Sequence, residues 1–261
     1  MTIKNRPEFE KFISRVAKSS DELRASSTEK RHTKQYRTAR ENLHHLIDED
    51  TFLEFGQFAV AAQRSRRDYE ELQDKTNADG IITGFCSINS ALVGEDDAKA
   101  VAIVYDYSVL AGTQGFFHHA KLDRICEQAK KFHLPVIIFT EGGGGRPGDT
   151  DVLTQIAGLH IPSFSSWAQL TGTCLKIAVN NGYCFAGNAV LFGCADFKIA
   201  TKDSWIGMAG PAMIEGGGLG TFEPKEIGPI EVQQKNGVVD YVAENEEEAT
   251  IIAKQLLAYF Q

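Results

Sequence analysis

The chain of 261 residues has no long apolar run, no C-x-x-C pair and no excess of positive charge. Its formal net charge of −8 argues against nucleic acid as the main partner, because phosphate backbones attract basic surfaces. No stretch approaches the roughly 20 apolar residues of a membrane span, and no signal peptide opens the sequence. We therefore expect a cytoplasmic protein that binds neither nucleic acid nor a membrane.

The cysteines are few and scattered, which excludes a zinc ribbon and a dense disulfide framework. All five fit reduced thiols of a cytoplasmic core: Cys86, Cys126, Cys174, Cys184 and Cys194. Three potential ligands, His118, His119 and Asp123, can share one helix face, but their spacing matches no metal motif. We expect no metal site.

What the sequence does have is a buried strand that runs directly into four glycines. The strand, Val136 to Thr140, is apolar on both faces, as expected of a strand covered on both sides. Glycines from Gly142 to Gly145 cost chain entropy, and they suit a place where backbone N–H groups approach a ligand. Asp149 is predicted to cap a helix over 150–159. The N–H groups of the turn and of the helix N-terminus would then lie together, in a place that suits a negatively charged group of a ligand.

Three other interpretations of this turn were considered. A long flexible loop would explain glycine but not four in succession. Gly143, Gly145 and Gly148 satisfy the dinucleotide pattern G-x-G-x-x-G only weakly, because Pro147 interrupts it and no acidic strand end follows. A Walker loop is excluded, because no Lys-Ser/Thr follows the glycines.

A second strand leads into a similar turn. Residues 174–180 are predicted as a buried strand, 181–189 as a turn of small residues and 186–192 as a short helix. Two such turns can aim backbone N–H groups at one oxygen and form an oxyanion hole, which stabilises an oxygen that gains charge, as a thioester carbonyl does on becoming an enolate. For the second turn alone, close packing of helix on strand is an equal alternative.

Alternating strands and helices along the chain predict an α/β fold. Residues 6–26 are expected to form a helix, and Thr38 with Glu41 forms the capping box of the next one. The basic residues of 24–40 are interpreted as a solvated face. The remaining predicted strands are 80–88, 91–93, 99–105, 195–200 and 237–242, with helices at 116–132, 163–171 and 246–259 and a glycine-rich loop at 207–220. The predicted domains are a helical N-terminal lead-in, 1–55, and the main domain, 56–261.

Several of these motifs occur in the order found in one known family. They are Asp79 to Gly84, Asp106 to Gly115, Glu141 to Arg146, Gly182 to Ala189 and Gly210-Pro211. The chain resembles the carboxyltransferase domain of biotin-dependent acyl-CoA carboxylases, specifically its N-terminal, acyl-CoA-binding half. The run from Gly142 to Asp151 is most similar to the long single-chain carboxylases. The resemblance implies the crotonase-like ββα superhelix after a helical lead-in.

The resemblance also implies roles for residues. Gly143 and Gly144 map onto the turn that holds the enolate oxygen, with Ala186 and Gly187 as its second part. A CoA-lining loop maps onto Gly112, Thr113 and Gln114, and the expected substrate-binding set is completed by Gly142, Gly145, Arg146, Asn188, Arg66 and Arg67. The family motif Asp-Ser-Gly-Gly-Ala-Arg is replaced here by Glu-Gly-Gly-Gly-Gly-Arg, which shifts the N–H assignment by up to one residue. Asn188 also replaces a small residue.

The expected function is transfer of CO2 from carboxybiotin to the α carbon of an acyl-CoA. The expected partners are a second crotonase-like half, a biotin carrier and a biotin carboxylase, in a homo- or hetero-oligomer. Arginines are expected to meet the nucleotide end of CoA, among Arg37, Arg40, Arg64, Arg66 and Arg67. One alternative is a stand-alone crotonase-type hydratase, isomerase or decarboxylase, for which Glu141 and Asp149 are the nearest acid–base candidates. The other is a non-catalytic acyl-CoA-binding assembly module.

Overall fold

One mixed sheet organises the chain in the computed structural model, which describes residues 6–152 and 161–261. Its seven strands lie side by side in chain order. The first two pairings are antiparallel and the remaining four are parallel. The strands are β1 (Leu53–Phe55), β2 (Ile81–Ser87), β3 (Lys99–Tyr105), β4 (Val136–Phe139), β5 (Lys176–Phe185), β6 (Phe197–Gly207) and β7 (Tyr241–Ala243).

Helices precede, connect and follow these strands in the described ranges. They are α1 (Pro7–Ala17), α2 (Ala25–His32), α3 (Ala39–Leu46), α4 (Tyr69–Lys75), α5 (Ser90–Val93), α6 (Phe116–Phe132), α7 (Ser163–Ala168), α8 (Gly187–Gly193), α9 (Pro211–Gly216), α10 (Ile230–Lys235) and α11 (Glu246–Ala258). Short 3₁₀ turns span Glu22–Arg24, Asn77–Gly80, Leu110–Gly112 and Pro224–Glu226.

Alternate residues of the central strands face two separate apolar layers, because side chains alternate across a strand. On one side Val136 and Ile138 pack in a layer with Leu122 of α6 and Trp167 of α7. On the other side Ile137 packs in a layer with residues of α3 and α11. The whole of β4 is buried, which confirms the prediction of a strand covered on both faces.

The lead-in belongs to the same sheet and the same core. Leu43 and Leu46 of α3 lie in one layer with Ile82 and Val104, and β1 pairs with β2. The capping box of α3 is confirmed: Glu41 N–H donates to Thr38 Oγ1 over 3.0 Å. The helix predicted over 6–26 is shorter, since α1 ends at Ala17. No helix within 6–152 or 161–261 combines the length and apolarity that a membrane crossing requires.

Four other predictions of secondary structure are treated in turn. The strand expected at 91–93 is the helical turn α5, which lies between the left-handed residues Asn89 and Gly94. The strand expected at 195–200 continues to Gly207, and the loop expected at 207–220 contains α9. Of the helix expected at 150–159, residues 150–152 are not helical and the remainder lies outside the described residues.

Basic residues of 24–40 form buried ion pairs, so interpreting them as a solvated face was wrong for three of them. Arg31 holds Glu141 with two hydrogen bonds of 2.9 and 2.7 Å, and both side chains are about nine-tenths buried. The other two pairs are Arg24 with Asp106, at 2.6 Å, and Arg40 with Glu54, at 2.7 Å. Each pair joins the lead-in to the sheet or its connections.

Replacing Arg31 by Met should lower the free energy of unfolding by about 3–5 kcal/mol, because the Glu141 carboxyl stays buried without its guanidinium. Burial already raises the pKa of Glu141 to about 7 against the opposing effect of Arg31. A carboxyl group whose pKa is higher in the folded protein than in the unfolded chain stabilises the folded protein at a pH below both values. This contribution is lost as the pH rises through the folded-state pKa. The deficit should therefore be smaller at about pH 5 than at about pH 8.

Urea unfolding at the two pH values measures this difference. Lys30→Met is the matched control, because Lys30 is the exposed neighbour in the same helix. A surface substitution of this kind changes stability by about 0.5 kcal/mol or less. Equal losses in the two variants would contradict a structural role for the pair.

Candidate active site

The first turn leaves β4 and pairs with the end of β5. Gly142 N–H donates to Tyr183 O over 2.7 Å, and Phe185 N–H donates to Gly142 O over 3.0 Å. A side chain is excluded at Gly142, because a Cβ there would lie 2.2 Å from Gly112 O. The glycine run therefore lets three backbone segments approach one another closely, as its composition predicted.

The second turn leaves β5 through a strained residue. Ala186 has φ +51° and ψ −119°, a conformation that alanine rarely adopts, and α8 starts immediately after it. The two turns touch here, because a Cβ added to Gly144 would lie 2.7 Å from the Ala186 Cβ and 3.7 Å from Gly187 N. The structure thus brings together the two turns that the sequence singled out.

Most N–H groups of these turns already have protein acceptors. Gly143 donates to Ala111 O, and Ala186 donates to Gly207 O, each over 3.0 Å. Gly144 donates to Asn188 Oδ1, also over 3.0 Å. Within 6–152 and 161–261, Gly145 N–H and Gly187 N–H have no such acceptor. In the described ranges the Asn188 and Ala189 N–H groups at the start of α8 also have no acceptor, and Gly145 and Gly187 are the glycines of the two touching turns whose N–H groups are unused.

Asn188 is fully buried beneath the first turn and is bonded on both sides of its amide. Its Oδ1 accepts from Gly144 N–H, while its Nδ2 donates to Thr140 O over 3.0 Å and to Gly112 O over 3.4 Å. Both ends of the Asn188 amide thus make positioning contacts within the protein. Asn188 holds the turn, the end of β4 and the 110–115 loop in one arrangement.

The loop expected to line the CoA site lies against the glycine turn. Gln114 N–H donates to Gly144 O over 2.8 Å, and Arg146 N–H donates to Gln114 O over 2.9 Å. Gln114 Nε2 donates to the Tyr105 hydroxyl over 2.9 Å, and a Cβ added to Gly187 would lie 2.3 Å from Gln114 Oε1. Gly112, Thr113 and Gln114 therefore join the first turn to the second.

The side chain of Arg146 anchors the first turn to neighbouring segments of the chain. Its guanidinium donates to Asp79 Oδ1 and, over 2.7 Å, to Thr113 O, and it lies 3.5 Å from Asp149 Oδ2. Its Nε donates to Thr113 Oγ1 over 3.3 Å, and the side chain is 4% exposed. Each guanidinium nitrogen therefore already has an acceptor within the protein.

Neither acid–base candidate is placed as a free base. Glu141 faces the lead-in, where Arg31 occupies both of its oxygens. Asp149 was expected to cap a helix at 150 and instead accepts from the first N–H of α6, that of Phe116, over 2.8 Å. Its other oxygen accepts from Gln63 Nε2 over 3.1 Å.

The arginines expected at CoA have different surroundings. Arg40 is paired with Glu54, and Arg37 Nη1 lies 3.0 Å from His45 Nδ1. Arg67 is paired with Glu71 at 2.8 Å, and Arg64 lies over the ring of Tyr69. Arg66 is exposed, and a Cβ added to Gly148 would lie 2.5 Å from its Nη2. Arg66 is therefore the member of this set beside the glycine turn.

The three potential ligands His118, His119 and Asp123, for which no metal site was expected, lie on α6. Across the residues that the structure describes, no group of three or more His, Cys, Asp and Glu could hold a metal ion. His118 is fully buried, and its ring lies against Tyr105. His119 lines a cavity beside Gly145, and burial lowers its pKa to about 4. Sequence analysis missed this role, although His119 shares one face of α6 with Phe116 and Asp123.

The fold and the paired turns define a crotonase-like protein of the carboxyltransferase type. The family model described as "Carboxyl transferase domain" matches residues 30–261. The chain belongs to this family.

Three similar proteins show which carboxylases and carboxyltransferases the chain resembles. The structure of a single-chain, multi-domain long-chain acyl-CoA carboxylase is 50% identical over 99% of this chain and 25% of that one, with a TM-score of 0.94. The methylmalonyl-CoA carboxyltransferase 12S subunit of Propionibacterium freudenreichii subsp. shermanii is 29% identical over 88% of this chain and 42% of its own length.

The biotin-dependent acetyl-/propionyl-coenzyme A carboxylase beta5 subunit of Mycobacterium tuberculosis (strain ATCC 25618 / H37Rv) is 28% identical over 89% of this chain and 40% of its own. The chain thus spans less than half the length of these curated relatives. The predicted fold and the likeness to single-chain carboxylases are confirmed.

Replacing Asn188 by Ala should free the N–H of Gly144 and loosen the turn that carries the N–H of Gly145. We expect weaker binding of an acyl-CoA thioester, with little change for the matching thioether, which has no carbonyl oxygen to accept from the turn. Titration calorimetry with both ligands measures the difference. We expect a loss of about 1–3 kcal/mol for the thioester alone, the range for a buried polar group that loses its partner.

A general disturbance of the fold would weaken both ligands equally, and that result would contradict a positioning role. Asn181→Ala is the matched control, because Asn181 is also a buried asparagine in the second turn region but bonds to Thr201 rather than to the glycine run.

Proposed function

We propose that this chain is the acyl-CoA-binding component of a biotin-dependent acyl-CoA carboxylase. The observation that carries the proposal is the pair of free N–H groups, Gly145 and Gly187, on two touching turns. Family membership and the biotin-dependent relative support it. Carboxybiotin would be carried by another domain or chain and would supply the CO2 and the base.

The contribution of this chain is stabilisation of charge. When the α carbon of an acyl-CoA loses its proton, the electron pair moves into the C–C bond and negative charge collects on the thioester oxygen. Gly145 N–H and Gly187 N–H would donate to that oxygen, and the enolate carbon would then form its new bond to CO2. Each such donor contributes about a hundredfold to a thousandfold in rate.

This assignment moves the donor of the first turn one residue beyond Gly144 and keeps Gly187 in the second. Gly143 N–H and Gly144 N–H are used by Ala111 O and Asn188 Oδ1, so they hold the turn instead. Ala186 likewise has an acceptor in Gly207 O, whereas Gly187 N–H, which starts α8, has none in the described ranges. Position 145 is alanine in the family motif, which has a backbone N–H as glycine does.

A stand-alone hydratase or isomerase is less consistent with the site. Such enzymes place a carboxylate where it can transfer a proton next to the oxyanion donors. Here Glu141 is occupied by Arg31, and Asp149 accepts from Phe116 N–H and Gln63. The proposed partner is therefore a second crotonase-like half with a biotin carrier, in an oligomer. Free thiols, four of them buried, are consistent with the cytoplasm.

Gly145→Pro should lower carboxylation about a hundredfold to a thousandfold, because it removes one oxyanion donor. Gly145→Ala retains the N–H, and a Cβ there meets no atom within 4 Å, so it should remain active. The assay combines the chain with the biotin-side half, carboxylated carrier and an acyl-CoA. Thermal unfolding of both variants checks the fold.

Gly187→Pro and Gly187→Ala form a second matched pair, because both introduce a Cβ near Gln114 and only Pro removes the N–H. Equal activity within each pair would contradict the donor assignment. The same mixture without the biotin-side half should give no carboxylated product. Full carboxylation by the chain alone, or hydration of an enoyl-CoA, would contradict the proposed component role.

Arg66→Ala should weaken acyl-CoA binding and reduce its dependence on salt, because we propose that the exposed Arg66 guanidinium contacts the CoA phosphates. Arg67→Ala is the matched control, since Arg67 is already paired with Glu71. Fluorescence titration at low and high salt measures both variants. Equal affinity and salt dependence in Arg66→Ala and the unmodified chain would exclude this contact.

A further inference from the structure

A cavity of about 490 Å³ opens beside the first turn, within the size range of small-molecule sites. The described lining of the cavity is mostly apolar in surface and also includes polar side chains. The apolar residues are Phe116, Ala120, Pro147, Val152, Ile161 and Pro162, and the polar side chains are Gln114, His119, Asp123, Arg146 and Asp149.

One wall of the cavity is a single face of α6. Phe116, His119, Ala120 and Asp123 follow the spacing of neighbours on a helix surface. His119 Nδ1 lies 2.9 Å from the hydroxyl of Ser163, which fixes the ring against α7. The wall is therefore built on a rigid helix.

The charge of the lining is unsuited to phosphate. The guanidinium of Arg146 is occupied by Asp79, Thr113 and Asp149. Burial lowers the pKa of His119 to about 4, so that the ring is neutral at pH 7. An uncharged, largely apolar ligand fits this cavity better than the nucleotide end of CoA.

The cavity also borders the free donor of the first turn. Gly145 contributes to the lining, its N–H has no acceptor in the described ranges, and a Cβ at this position would meet no atom within 4 Å. A thioester carbonyl bonded to this N–H would thus lie at the cavity wall, with open space for the group attached to it.

We propose that this cavity holds the acyl chain of the substrate and selects acyl-CoAs longer than acetyl-CoA. This inference rests on the proposed acyl-CoA function and adds the substrate class. Binding should tighten with chain length until the cavity is filled, by about fourfold for each buried methylene. The nucleotide end of CoA would lie outside the cavity.

Filling the cavity from its two walls tests the proposal. Ala120→Trp adds bulk on α6, and Val152→Trp adds bulk from a lining residue outside that helix. With the biotin-side half present, each variant should lower the ratio of kcat/KM for dodecanoyl-CoA to that for acetyl-CoA at least tenfold. Ala91→Trp, an exposed alanine in the helical turn α5, is the control and should leave the ratio unchanged.

Dissociation constants for acetyl-, hexanoyl- and dodecanoyl-CoA, measured by calorimetry on the chain alone, separate this proposal from the function. A steep dependence on length that both tryptophan variants remove would support the cavity even without turnover. An equal loss of affinity for all three acyl-CoAs in the tryptophan variants would indicate that CoA itself occupies the cavity. Unchanged ratios of the dissociation constants would indicate that the acyl chain does not enter it. Either result overturns the proposal. Failure of the unmodified chain to support carboxylation of any acyl-CoA would instead overturn the function.

Discussion

The buried contact between Arg146 and Asp79 is the interaction on which the site depends. Asp79 precedes β2, Thr113 follows β3, and Arg146 directly follows the glycine run, so one guanidinium joins three connections at the same edge of the sheet. Its two carboxylate neighbours lie at Nη1, while the carbonyl and the hydroxyl oxygens of Thr113 accept from Nη2 and Nε. Loss of a partner from such a buried pair costs about 3–5 kcal/mol of stability. Glycine has high conformational freedom, so the glycine run does not hold this arrangement by itself.

The remaining contacts fix the two turns by giving three of their N–H groups acceptors in other segments. Ala111 O, Asn188 Oδ1 and Gly207 O accept from Gly143, Gly144 and Ala186 in turn. Because these acceptors lie on three different segments, the turns cannot rotate without breaking several hydrogen bonds together. Preorganisation of this kind is what gives an oxyanion donor its effect, since no reorganisation is needed when charge develops.

The ion pairs of the lead-in connect the fold to the chemistry. Arg31 occupies both oxygens of Glu141, the carboxylate immediately before the first glycine, and fixes it on the side away from the cavity. Of the two acid–base candidates, neither Glu141 nor Asp149 is therefore a free base, which suits the proposed component supplied with its base by carboxybiotin. An acidic protein also gains from this use of arginine, because buried carboxylates at Glu141, Asp106 and Glu54 are each paired.

The sequence by itself determined the α/β alternation, the buried strand β4, the capping box of Thr38 and the two glycine turns. Each depends on neighbours within a few residues, so periodicity and turn chemistry reveal it. Only the tertiary structure decided that Gly145 rather than Gly143 or Gly144 keeps a free N–H. The acceptors concerned lie in distant segments, Asn188 being 44 residues from Gly144. Likewise Arg31 resembles any solvated basic residue until folding brings Glu141, 110 residues away, to its guanidinium. Contacts between such distant positions leave no periodic trace in the sequence, which is why they required the folded chain.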